Sequence, residues 1–260
     1  MANIALNIKK QGTRSLLRIL LALLMVSIVH TDEPTNSLTP CKLHDSNNGG
    51  CLKDLWQNIL IKGIKDVPGV KWISIDPYKI KRIHVKVDTP IVNLDMDFKK
   101  IVITGLINSK VTDVSVKNEK TFYLGLKIPN ILLKAEYGLA GRALVLNIDG
   151  KGPAEVEMKE LEMEFAVDTK RVKKDSDDFF EVQSLKSNVK HIGFMHFQFD
   201  NLFGENKALT DSANDVFNQN WSQLIELMRP VIEEAIDASL LGQAKKYLDP
   251  LPGRIIFSDL

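Results

Sequence analysis

The chain has 260 residues, 44% of them hydrophobic and 26% charged, with a formal net charge of +1. That balance suits one large globular domain or two small ones. It argues against nucleic-acid binding, which calls for a clear basic excess, and against a strongly anionic membrane partner.

The first thirty residues stand apart. Lys9, Lys10, Arg14 and Arg18 lead into ILLALLMVSIV, an uncharged run from Ile19 to Val29. The run is too short to span a bilayer and suits the core of a secretion signal; a buried helix or an anchor is the alternative. Residues 1–31 therefore read as a signal peptide, cut between Val29 and Glu33, and residues 32–260 as a single mature domain. The expectation is a secreted, extracellular protein with no membrane insertion after cleavage.

Cys41 and Cys51 are the two cysteines. Across KLHDSNNGG they read as one small disulfide loop; a metal site normally uses a closer pair and more ligands. Leu52 to Ile64 follows as an amphipathic helix, with Leu52, Leu55, Trp56, Ile59 and Leu60 at threes and fours. VPGV at Val67–Val70 ends it.

The period then changes to two. Val92, Leu94, Met96 and Phe98 alternate with polar residues, as do Phe122, Leu124, Leu126 and Ile128. Ile131, Leu133, Ala135 and Tyr137 continue the theme after Pro129. Leu161, Met163, Phe165 and Val167 oppose Glu160, Glu162 and Glu164, which read as a solvated face. Short turns are expected at NEK, GLAGR, IDGKGP and KKDSDD. This is a meander of antiparallel hairpins, which argues against a doubly wound nucleotide fold.

Phe197 and Phe199 still alternate; from Thr210 the period returns to 3.6. Thr210 or Asp211 is expected to cap a long helix carrying Phe217, Trp221, Leu224, Ile225, Met228, Ile232 and Ile236, with a kink or break at Pro230. The stripe Phe217, Trp221, Leu224 and Met228 should face one side. A long one-faced sheet and a long apolar helix bury each other if the sheet curls around the helix.

These blocks resemble the takeout/juvenile hormone-binding protein family of insects, within the tubular lipid-binding superfamily. The resemblance rests on Cys41 and Cys51 before a helix with Trp56, on AEYGLAGRALVLNIDGKG from Ala135 to Gly152, and on FDNLFGENKALTDSANDVFNQNW, where Asn201, Leu202, Phe203, Asn220 and Trp221 fit. PLPGRIIF, from Pro250 to Phe257, fits the family's tail. The resemblance implies an α+β fold: a long C-terminal helix wrapped by a strongly curved antiparallel sheet, elongated, with an internal hydrophobic tunnel. It implies a secreted carrier of a small lipophilic ligand: a terpenoid, a juvenile-hormone-like, fatty or prenylated molecule. The alternative is a lipid-dependent extracellular signalling protein of circadian, feeding or chemosensory type, acting through a receptor. A single cysteine pair favours the takeout branch and sets juvenile hormone itself in doubt.

For the lining of that interior the sequence offers Trp72, Phe98, Phe122, Leu133, Phe165, Phe197, Phe217, Trp221, Leu224 and Met228. Tyr137 adds a hydroxyl on an apolar strand face, free to hold a ligand head group or to be satisfied by backbone or water. No nucleophile elbow and no HExxH occur, so no enzyme, metal or cofactor is expected. A monomer is expected. Asn220-Trp221-Ser222 matches a glycosylation sequon but sits beside a large aromatic, and packing is the preferred reading.

Overall fold

The computed structural model describes residues 38–64, 67, 70, 74–143 and 145–260. The expected signal peptide and Trp72 lie outside them. Helix α1 (Gly49–Lys62) comes first. Strands β1 (Tyr78–Asp88), β2 (Val92–Thr104), β3 (Lys110–Lys117), β4 (Thr121–Ala143), β5 (Leu146–Lys174), β6 (Asp177–His191) and β7 (Phe194–Phe199) follow, then helices α2 (Lys207–Gln219) and α3 (Trp221–Leu248). The strands form one antiparallel sheet in the order β1-β2-β4-β5-β6, with β3 joining β4 and β7 joining β5. The sheet curves about the C-terminal helix without closing, the α+β arrangement the resemblance implies.

β4 and β5 run together from Thr121 opposite Asp168 to Ala143 opposite Leu146. On its other edge β4 pairs first with β3, as far as Lys127, and then with β2, from Leu132. Pro129 falls in the gap between them, where no neighbour needs its missing N–H. Buried positions change parity at this level, from Ile128 to Ile131 in β4 and from Leu161 to Val156 in β5. Glu160, bracketed by the pairs on either side of Pro129, takes the left-handed φ of 53°. Beyond it the expected alternation holds. Leu161 and Met163 are buried and Glu160 and Glu164 exposed. Glu162 and Glu164 pair with Lys127 and Lys190 at 2.8 and 3.1 Å.

Two expectations about turns fail. GLAGR lies inside β4 and IDGKGP inside β5; the hairpin turns instead between Ala143 and Leu146. The glycines serve close approach. A Cβ on Gly141 would stand 2.1 Å from the Asn93 carbonyl oxygen, and one on Gly150 would stand 2.6 Å from Leu202 Cα. The link between β7 and α2 therefore lies directly on β5.

The C-terminal helix also differs. It begins at Lys207, because Asn206 Oδ1 accepts from Leu209 N at 3.1 Å. It breaks at Asn220, which leaves helical geometry at φ −115°, ψ 17°, rather than at Pro230. Asn220 Nδ2, the sequon's acceptor atom, donates to Val216 O at 2.7 Å. Pro230 lies within α3 on an exposed turn, where water can take the carbonyl it leaves free.

Two apolar clusters occupy opposite ends of the sheet. At one, α1 and the C-terminal tail cover β3 and the start of β4. Phe122, Phe180 and Phe257 meet with ring centroids 5.4–6.1 Å apart. The Cys41–Cys51 disulfide is formed there, and Cys41 N donates to Ile256 O at 2.8 Å. At the other, Tyr137, Phe199 and Phe217 pack with Val92, Leu202 and Leu224.

Candidate functional site

Helix α3 is fixed along one sheet edge by its own carboxylates. Glu233 Oε1 accepts from Val189 N at 2.8 Å, Asp237 Oδ1 from Ser187 N at 2.6 Å, and Asp249 Oδ1 from Val182 N at 2.7 Å. Asp237 also accepts from Ser187 Oγ at 2.7 Å, and Arg229 donates to Val189 O. Four residues of helix rise about 6 Å and two of strand about 6.8 Å, so i,i+4 carboxylates meet alternate strand N–H groups. The same match recurs on α2. Asn214 exchanges two hydrogen bonds with Phe199 (3.0 and 2.9 Å), and Asn218 two with Phe197 (2.7 and 2.9 Å). Sequence reasoning missed these residues. The signal was there: polar i,i+4 pairs on otherwise apolar helix faces.

With its polar face so used, α3 turns an apolar face to the sheet. Trp221, Ile225, Ile232 and Ile236, at spacings of four, seven and four, pack there against strand residues. Of the helix's 28 residues only Leu224, Ile225 and Asp237 are fully buried. Met228, Ile232, Ile236 and Leu240 are half-buried, and so are Phe98, Leu133, Phe165 and Phe197 on the strands. Mid-sheet, the clusters are small. Val156, Met195 and Ile225 form one, with Leu133, Trp221 and Ile232 against it. Ile128, Ile131, Leu161, Met163 and Val189 form the other, with Phe165 and Ile236 against it.

The structure thus divides the sequence candidates. Phe122 belongs to the α1 end. Phe217 and Leu224 are buried in the opposite end cluster, with Phe98 and Met228 at its margin. The expected single stripe is split, because the break at Asn220 sends Trp221 to a different cluster from Phe217. Tyr137 is satisfied by the chain: its hydroxyl donates to Asp200 O at 2.7 Å and its ring meets Phe199 edge-on at 5.1 Å. Burial pushes its pKa up to about 12, so it stays protonated.

Clefts between described residues reach the surface. One, of about 700 Å³, lies between α1 and β3, lined by Lys53, Gln57, Ile61, Ile107 and Lys110 among others. The second, of about 500 Å³, lies between β1 and α3. Among the described residues, the buried Trp56 Nε1 and Gln243 Oε1 have no hydrogen-bond partner. Among the described residues no cluster of His, Cys, Asp or Glu could hold a metal, and no helix is long and apolar enough to cross a membrane.

A curved antiparallel sheet folded about an apolar helix, with large buried clusters at both ends and smaller ones between them, defines a helix-in-sheet protein with an apolar interior. The family model for Haemolymph juvenile hormone binding protein (JHBP) matches residues 19–258, and the chain belongs to that family. It is 25% identical over 209 residues to the circadian clock-controlled protein daywake of Drosophila yakuba, covering 76% of this chain and 78% of that one. The daywake protein of Drosophila melanogaster is 32% identical over 108 residues, 41% of each chain. The crystal structure of Epiphyas postvittana Takeout 1 shares the fold, with a TM-score of 0.72 at 22% identity over 84% of this chain and 98% of that one. Membership places the chain among lipophilic-ligand-binding proteins.

Proposed function

We propose that this protein is a secreted, monomeric carrier that takes a small lipophilic ligand (a terpenoid, juvenile-hormone-like, fatty or prenylated molecule) between the sheet and α3, with no catalytic step. The observation that carries this reading is the half-buried apolar face of α3 opposite half-buried strand residues, in a sheet whose two ends are densely filled. An apolar helix face left short of full burial by its own chain has unspent hydrophobic surface, and a lipid chain can cover it. In this reading Phe98, Leu133, Phe165, Phe197, Trp221 and Met228, half-buried on the sheet and helices, touch the ligand. Phe122, Tyr137, Phe217 and Leu224 act in this reading as walls. The family description names a lipophilic hormone, which supports the ligand class.

The curated relatives are described as clock-controlled, which favours a second reading: ligand binding in the service of an extracellular regulatory partner. Native mass spectrometry of the purified secreted protein, followed by lipid extraction, tests the carrier reading. One lipid per chain is expected; protein of bare mass that takes up no apolar compound would contradict it.

A further inference from the structure

The long helix meets two sheet edges, and they are treated differently. The outer edge of β6 gives its N–H groups to Glu233, Asp237 and Asp249. The outer edge of β1 pairs with no strand among the described residues, and Tyr78 OH donates to Ser239 O of α3 at 3.4 Å. Between β1 and α3 lies the crevice of about 500 Å³. Its walls are Ile80, Ile83 and Val85 on the strand and Val231, Ala235 and Ala238 on the helix. Val85 and Val231 pack against the cluster that Phe98 and Met228 also border, so the apolar walls continue inward. The two alanines, three residues apart on one helix face, leave the gap unfilled.

The rim is charged, but its cations already have partners. Arg82 Nε donates to Asp97, which Lys99 also meets at 2.9 Å; His84 and Lys86 meet Asp95 at 2.8 and 3.0 Å. Glu234 supplies a negative charge from the helix side. A carboxylate arriving here would find every cation that lines the crevice, Arg82, His84 and Lys86, already paired, and a like charge on the helix. An uncharged head group would find peptide N–H and C=O groups along an edge that no described strand covers. We propose that the β1–α3 crevice is the subsite for the polar end of the ligand, and that it selects a lipid with an uncharged head, an ester or an alcohol, over a free carboxylate.

This rests on the carrier reading and deepens it. The ligand's apolar body lies in the interior and its head lies at the water boundary, where Glu234, Ala238 and Lys86 are exposed. The head exchanges water for strand peptide groups, so its polar atoms stay hydrogen-bonded on entry.

The test is competition of methyl palmitate, 1-hexadecanol and palmitate against bound N-phenyl-1-naphthylamine at pH 8, below the micelle concentration of each. Wild-type protein is expected to bind the ester and the alcohol at least about tenfold tighter than the acid. Asp97→Asn frees Arg82 and Lys99 and should raise the palmitate-to-ester affinity ratio at least about fivefold. Ala235→Trp fills the crevice and should weaken the ester about tenfold or more; Ala238→Trp is the second filling variant should the first fail to fold. Palmitate binding as tightly as the ester, a ratio unmoved by Asp97→Asn, or filled crevices that bind like wild type would each overturn the subsite. Failure of the naphthylamine and of all three lipids to bind would instead remove the carrier reading on which it rests.

Discussion

Phe257 and Ile236 are both large apolar side chains packed against the sheet, yet Phe257 is wholly shielded from water and Ile236 only in part. Phe257 sits where three segments converge on the first turns of β4: the disulfide loop, α1 and the C-terminal tail. Ile236 sits mid-sheet, where α3 is the covering element. A helix about 10–12 Å across cannot fill the hollow of a strongly curved sheet by itself. Covering segments gathered at the ends give fold stability there and leave the middle with apolar surface to offer.

The comparison breaks first, and most heavily, at the ends. Phe257→Ala should cost about 3–5 kcal/mol, as for other fully buried aromatics, while Ile236→Ala should cost about 1–2 kcal/mol, because its side chain is already partly hydrated. Urea unfolding of both variants checks this, and equal losses would mean that the middle is as densely packed as the end.

Asp237→Leu comes next, at about 3 kcal/mol. It strips a buried charged acceptor from Ser187 N and Ser187 Oγ, leaving the backbone N–H without a partner while the hydroxyl keeps Glu233 O at 3.2 Å. Hydrogen exchange should localise the loss to β6 and α3, with the disulfide end still protected. The double variant Cys41→Ser with Cys51→Ser should cost roughly 2–3 kcal/mol, the loop-closure entropy of a ten-residue separation. Its affinity for methyl palmitate should hold, since the bridge lies at the end and not along α3. A larger drop in affinity than in stability would blur the distinction between end and middle.

The smallest expected effect is on pH dependence. Asp259 accepts from Leu43 N at 2.7 Å and meets His44 Nδ1 at 3.0 Å, which tethers the tail to the disulfide loop. The hydrogen bond from Leu43, then that from His44, hold its carboxyl down at about 2. A lowered carboxyl stabilises the fold fully above its unfolded value near 3.8 and loses that contribution as pH falls toward 2. His44 is raised, chiefly by its hydrogen bond to Asp259, so its contribution holds below 6.5 and fades as pH rises through the higher folded value. Melting curves of wild type and Asp259→Asn should therefore differ most between about pH 4 and 6.5 and converge toward pH 2. A gap of the same size at pH 2 as at pH 5 would rule the tether out.

Much of the fold was legible because period is a local signal. Leu161, Met163 and the flanking glutamates alternate, and the sheet faces follow. NEK and KKDSDD mark real turns, whereas GLAGR and IDGKGP lie inside strands because glycine marks both a bend and a close approach, and only the position of Leu202 and Asp200 above Gly150 and Gly152 separates the two. The helix break was misplaced because Pro230 is a strong local signal, whereas Asn220 acts through a side-chain hydrogen bond to Val216 O. For the site, side-chain type identified aromatic candidates but not their depth. Phe217 and Trp221 look alike four residues apart, yet the break between them sends one into a packed end and the other toward the interior. The edge-binding pair Glu233 and Asp237 could have been found, since carboxylates four apart on an apolar helix call for a partner.

The most direct test of the account is the melting of wild type, Phe217→Ala and Ile236→Trp with and without methyl palmitate. Wild type should gain about 2.7 kcal/mol at a hundredfold excess over Kd. Phe217→Ala should lose about 3–5 kcal/mol of intrinsic stability yet keep the full ligand increment, because Phe217 is wall. Ile236→Trp should stay folded and lose the increment, because the added ring takes the ligand's place. A wild type indifferent to the lipid, together with an Ile236→Trp variant that simply unfolds, would show that α3 is buried core along its whole length and that no ligand lies beneath it.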